Sequence, residues 1–171
     1  MKKIFLVLAA VALCASTVSA QSKVQQVAQA AASQKWSVGL RATYGVQAVA
    51  ECFYASDKYL EGRLGLGFGY GAGADFTALH NWNCFNWDWT PNAGKWFLDA
   101  GVGANLGGGA HNLYVGVAGD VKFGIKFNKV PIRLAIDYTP VIGCNFKYHG
   151  EKDHFHDKGF YNGAISATWC F

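Results

Sequence analysis

A chain of 171 residues is enough for one domain. Its formal charge of +4 falls to +2 without Lys2 and Lys3, which leaves no basic field of the kind that nucleic acid selects. Aromatic residues make up 15%, charged residues only 15%, there are 21 glycines, and the mean hydropathy is +0.10, too apolar and glycine-rich for an ordinary soluble secreted domain.

The chain opens as an export signal over residues 1–20: a basic start at Lys2 and Lys3, an apolar run from Ile4 to Leu13, and a small-residue cleavage site at Val18, Ser19 and Ala20. Acylation at Cys14 is the competing reading, and Leu13 before it disfavours that chemistry. Residues 21–35 read as a polar periplasmic leader, with helix-type spacing confined to Val24–Ala32. The roughly 150 residues that follow the signal contain no apolar run of 18, so no helix crosses a bilayer. In lipid every backbone polar group must be bonded internally, and a closed barrel is the other structure that achieves this.

From Trp36 to Phe171 the apolar residues recur with period two, and turn clusters divide them into eight expected strands: 36–44, 46–55, 59–68, 73–85, 95–106, 113–127, 132–146 and 159–171. Trp36–Ala55 keeps one phase throughout, as does Tyr59–Cys84, yet both must turn. Twenty residues at about 3.3 Å each would reach some 66 Å, whereas about 9 to 11 tilted residues cross a membrane. An even strand number, with both chain ends in the periplasm, favours eight over seven. Gly65, Gly67, Gly69, Gly71 and Gly73 then serve a bend and close backbone approach. No helix pattern follows them, which disfavours a dinucleotide loop.

Alternation separates two faces. On the sixth strand Leu113, Val115, Val117, Val121, Phe123, Ile125 and Phe127 oppose Asp120, Lys122 and Lys126. Ile132, Leu134, Ile136, Tyr138 and Ile142 oppose Arg133 and Asp137 on the seventh, and Leu60, Leu64 and Leu66 oppose Glu61 and Arg63 on the third. The same phase adds Arg41, Glu51, Asp75 and Asp99 to the charged face. Five cations and six anions nearly balance, which suits a closed interior, where an unpaired charge is costly. Trp36, Tyr44, Tyr54, Trp82, Trp96, Tyr138, Tyr161 and Trp169 fall near strand ends, almost all on the apolar face, as membrane-interface girdles do. A soluble barrel with an apolar core is the alternative.

The last strand alternates Tyr161, Gly163, Ile165, Ala167, Trp169 and Phe171 against Asn162, Ala164, Ser166, Thr168 and Cys170. With Gly39, Leu40 and Arg41, then Leu60, Glu61 and Gly62, then Pro131 to Leu134 and Asp137 to Pro140, this terminal aromatic resembles the small eight-stranded outer-membrane barrels. The chain is similar in architecture to the OmpX and OmpA transmembrane families. That resemblance implies an all-β, closed, antiparallel up-and-down transmembrane barrel in the outer membrane of a Gram-negative bacterium. It also implies that Trp169 and Phe171 form a signal read by the barrel-assembly machinery, and that outer-membrane lipid surrounds a monomer. Pro140 departs from the pattern, removing a ladder donor and suggesting a bulge.

No catalytic constellation stands out, and no cofactor is expected. Ser37 and Ser166 fall inward with no histidine beside them, and His80 sits on the apolar face as an interfacial residue. The segment Lys147–Lys158 gathers His149, His154 and His156 with Glu151, Asp153 and Asp157. These histidines are candidate metal ligands, but their spacing matches no closed set, and a solvated outer loop is preferred. Cys52, Cys84 and Cys144 are expected on the apolar face and Cys170 inside, as free thiols. The expected function is a structural or interaction role in the outer membrane, with the interior plugged by balanced charge. A narrow channel, a rim enzyme acting on lipid and a soluble lipocalin-like binder are the alternatives.

Overall fold

A computed structural model describes residues 35–43, 45–67, 73–109, 112–147, 154–156 and 162–171. Its strand segments are β1 (Trp36–Ala42), β2 (Val46–Ala55), β3 (Lys58–Gly67), β4 (Gly73–Thr90), β5 (Gly94–Gly109), β6 (Asn112–Phe127), β7 (Ile132–Tyr138), β8 (Val141–Lys147), β9 (His154–His156) and β10 (Gly163–Cys170). All neighbours are antiparallel. The sheet runs from β5 through β1 and β10 to β6, and β5–β6 pairing closes it.

Ten segments make eight strands. β7 and β8 both pair with β6, with Tyr138 opposite Val121 and Val141 opposite Ala118. Two residues lie between these pairs on either side, so the register passes Pro140 without a slip, and the bulge expected there is absent. Proline costs only one ladder donor: Gly119 N–H still donates to the Pro140 carbonyl at 2.8 Å, and glycine at 119 leaves room for the pyrrolidine ring. β10 continues the wall beside β7, as β9 does beside β8.

The stagger follows from the pairing. From Phe85 on β4, successive partners are Leu98, Phe123, Ile136, Ile165, Ala42, Val46 and Leu66, and the circuit returns to β4 at Ala74. Of these 11 positions (85 − 74) one is the bulged Cys84, which leaves a shear of 10. Closure requires strands tilted at about 35–45°, and eight of them leave a lumen that side chains can fill.

Side chains obey the alternation, with apolar residues outside. Leu40, Leu64, Val117, Ile136 and Ile165 are all more than half exposed, while Arg41, Glu51, Glu61, Arg63, Asp99, Asp120, Lys122 and Asp137 are buried. One small apolar cluster in the interior is formed by Leu79, Tyr114, Ala118 and Val141.

We call the end carrying Lys35 and Phe171 proximal. Its turns are short: 56–57, 91–93 and 128–131. Trp36, Tyr54, Trp169 and Phe171 are exposed there on the outer wall. Pairing of β4 with β3 stops at Trp82 and Lys58, yet β4 and β5 continue to Thr90 and Gly94 as a hairpin longer than the expected 73–85 and 95–106. At Asn83–Phe85 the register slips, so Cys84, expected on the apolar face, is buried at a bulge instead. The slip moves the outward phase to Phe85, Trp87 and Trp89. Trp87 and Trp89 stack 5.4 Å apart at 18°, and both reach Phe123.

Cys52 and Cys144 occupy the outer face, half-buried and exposed respectively, Cys170 is buried inward, and no disulfide joins the four described cysteines. Tyr44, Tyr161, Gly69, Gly71, His149, residues 1–20 and nearly all of the leader lie outside the described residues.

Candidate functional site: the charged lumen

Most strand charges are delivered inward because charge and greasy residue alternate along the strands. In β3 the sequence Tyr59, Leu60, Glu61, Gly62, Arg63, Leu64 sends Tyr59, Glu61 and Arg63 to the lumen and the two leucines out. Neighbouring strands then bring charges from distant parts of the chain within bonding distance.

They form one continuous chain of alternating sign. At its proximal end Arg133 donates to Asp99 Oδ2 and Glu51 Oε2, each at 2.8 Å. Lys122 joins Glu51 at 3.0 Å to Glu61 at 2.7 Å. Arg63 then bonds Glu61 at 2.6 Å and Asp120 at 2.9 Å. Thr139 bridges onward, donating to Asp120 at 2.7 Å and accepting from Arg63 at 2.6 Å. Arg41 bonds Asp137 at 2.6 Å and the Gln47 side-chain oxygen at 2.6 Å, and Gln47 donates to Asp75 at 2.9 Å. Apart from Glu61–Arg63 these ion pairs join different strands, and Glu51–Lys122, Glu51–Arg133 and Arg63–Asp120 tie opposite walls together.

Neutral groups complete the shell. Ser37 donates to Glu51, Asn81 to Glu61 at 2.7 Å, and Asn83 to Asp99 at 2.7 Å. Tyr59 donates its hydroxyl to Asp99 at 2.8 Å. The Arg133 guanidinium lies 4.2 Å from the Phe97 ring centre and 5.3 Å from those of Phe53 and Tyr59, an aromatic sleeve that supplies cation–π attraction where water is excluded.

The eleven charges read from the sequence do not all reach this network. Ten accept or donate a hydrogen bond among the described residues, with Asp75 the most exposed carboxylate of the set. Lys126 faces inward, half-buried, and its side chain makes no hydrogen bond or ion pair among the described residues. Sequence reasoning did not single out Tyr59, Phe53 and Phe97, which share the charged phase of their strands with Glu61, Glu51 and Asp99. It also passed over Gln47, Asn81 and Thr139. Their common signal was phase.

Outside the lumen, His80 bonds the Tyr54 hydroxyl and stands edge-on to Trp82, 4.4 Å between ring centres. The backbones of His154 and His156 pair with those of Asn145 and Gly143, while His149, Glu151, Asp153 and Asp157 lie outside the described residues. Among the described residues no cluster of three or more histidine, cysteine or acidic side chains is arranged to hold a metal ion. Trp169 and Phe171 both point to the outer surface.

Removal of the Tyr59 hydroxyl tests the proximal shell. Tyr59→Phe takes a donor from a buried carboxylate that keeps Arg133 and Asn83, and is expected to lower stability by about 1.5 kcal/mol. A urea unfolding midpoint measures it.

No protein-family model, no curated protein and no solved structure matches this chain.

Proposed function

We propose that this chain is an integral outer-membrane β-barrel whose role is structural or interactive, its lumen plugged by ion pairs rather than open to solute. The observation that carries the reading is inverted polarity. Arg41 and Arg63 are 1% exposed while Leu64 is 57% and Ile136 63% exposed, the reverse of a soluble core. An apolar wall of this extent exceeds what water-soluble monomers display, and hydrocarbon is the medium that makes it favourable. Trp36, Tyr54 and Trp169, collected toward the proximal end, fit a girdle at a membrane interface.

On this reading the proximal end faces the periplasm, and outer-membrane lipid surrounds a monomer. Trp169 and Phe171 present the aromatic end of the last strand to the barrel-assembly machinery during insertion. The cross-lumen ion pairs argue against the narrow-channel alternative, since water would have to displace Arg63 and Lys122 from paired carboxylates.

Fractionation combined with a heat-modifiability gel tests compartment and fold together. The expected result is outer-membrane recovery, with an unheated band migrating differently from the boiled one. Recovery in a soluble fraction without detergent would refute the membrane reading.

A further inference from the structure

The cations at the proximal mouth share a neighbour relationship with Glu51 and Glu61, direct cross-strand partners deeper in the lumen, but those two carboxylates are bridged by Lys122. Lys95, Lys126 and Arg133 are direct cross-strand partners on β5, β6 and β7. Like charges placed opposite one another on one face repel. Arg133 is offset by Glu51 and Asp99. Lys126 and Lys95 are not: among the described residues no carboxylate forms an ion pair with either.

Nearby acids do not fill the gap. Glu51 and Asp99 are committed to Arg133 and Lys122, and Asp88, exposed near the hairpin tip, pairs with neither lysine. Lys129, exposed in the turn after β6, adds positive charge at this end, as do Lys35 and Lys58. Cys170, buried on β10, is a further inward-facing ionisable group there. Lys126 is therefore a partly desolvated ammonium at an opening, with a second ammonium across from it and no internal anion.

We propose that the proximal mouth of the lumen is an oxyanion site fitted to a phosphate group, with Lys126 and Lys95 as its cationic ligands. Two ammonium groups on adjacent strands approach such an anion from two sides, and the anion converts a repulsive pair into a bridged one. The same chemistry is offered by free phosphate and by the phosphodiester of a lipid headgroup at the rim. The site depends on the lumen's charge arrangement and not on the membrane reading.

The test uses the full folded protein in detergent, titrated in one arm with inorganic phosphate and in the other with short-chain phosphatidylglycerol. Backbone amide shifts of Lys95 and Lys126 are followed by NMR. Saturable shifts are expected in at least one arm, and the arm that saturates identifies the source. Lys126→Gln is expected to weaken binding by about tenfold and Lys126→Arg to retain it, while Lys58→Gln at the same end leaves it unchanged. Since it removes like-charge repulsion, Lys126→Gln should also unfold at an equal or higher temperature than the parent, which separates lost binding from lost folding. No saturation in either arm, or equal weakening by Lys126→Gln and Lys58→Gln, would overturn the site.

Discussion

Glu51→Ala is expected to destabilise the barrel by about 3–5 kcal/mol, among the largest effects of any single lumen substitution. Its carboxylate is 1% exposed and takes bonds from Lys122, Arg133 and the Ser37 hydroxyl, joining β2 to β1, β6 and β7. Truncation would leave Lys122 with Glu61 alone and Arg133 with Asp99 alone, both still buried. The cost is the desolvation of cations whose compensation has been halved, rather than the strength of the bonds removed. The temperature at which the compact band disappears from a heat-modifiability gel should fall, and the urea midpoint should fall with it. An unchanged midpoint would mean that water reaches these cations, and the plugged interior would then be untenable.

Ile136→Arg is the second large effect, and it acts on the other face. Ile136 is 63% exposed on the outer wall of β7 between Phe123 of β6 and Ile165 of β10. For a surface bathed by water, such a substitution changes stability by less than about 0.5 kcal/mol. For a wall set in hydrocarbon, an arginine near the midplane costs about 2–4 kcal/mol. The equilibrium between the folded, vesicle-inserted protein and its urea-unfolded form therefore distinguishes the media. Tolerance of arginine there would refute the membrane reading while leaving the fold intact.

Much of this architecture was legible because a barrel wall enforces period two more strictly than most folds. Leu113–Phe127 could be assigned to two faces by inspection, and β6 keeps that division. What escaped was local. At Cys84 the outward phase shifts from Trp82 to Phe85, Trp87 and Trp89, and that change of phase is the mark a bulge leaves in sequence. Ending the strand at residue 85 hid it, and with it the protruding hairpin. Phe53, Tyr59 and Phe97 escaped for another reason. Apolar character alone assigns a ring to the outer face, whereas these three stand beside a buried guanidinium, which only the assembled barrel reveals. Lys126 shows the limit of counting charges. Near-neutral balance held for the lumen as a whole, but which cation lacks a partner depends on cross-strand register.

The alternating ladder also constrains how the molecule comes together. Glu51 and Arg41, on strands made early, find their ionic partners only on β6 and β7, made much later. A half-completed wall would carry naked charges with nothing opposite to neutralise them, so partial intermediates are penalised and closure becomes cooperative. Electrostatic complementarity thus acts as a proofreading device: a mispaired strand would present the wrong sign across the lumen, and the error would be felt before the cylinder seals.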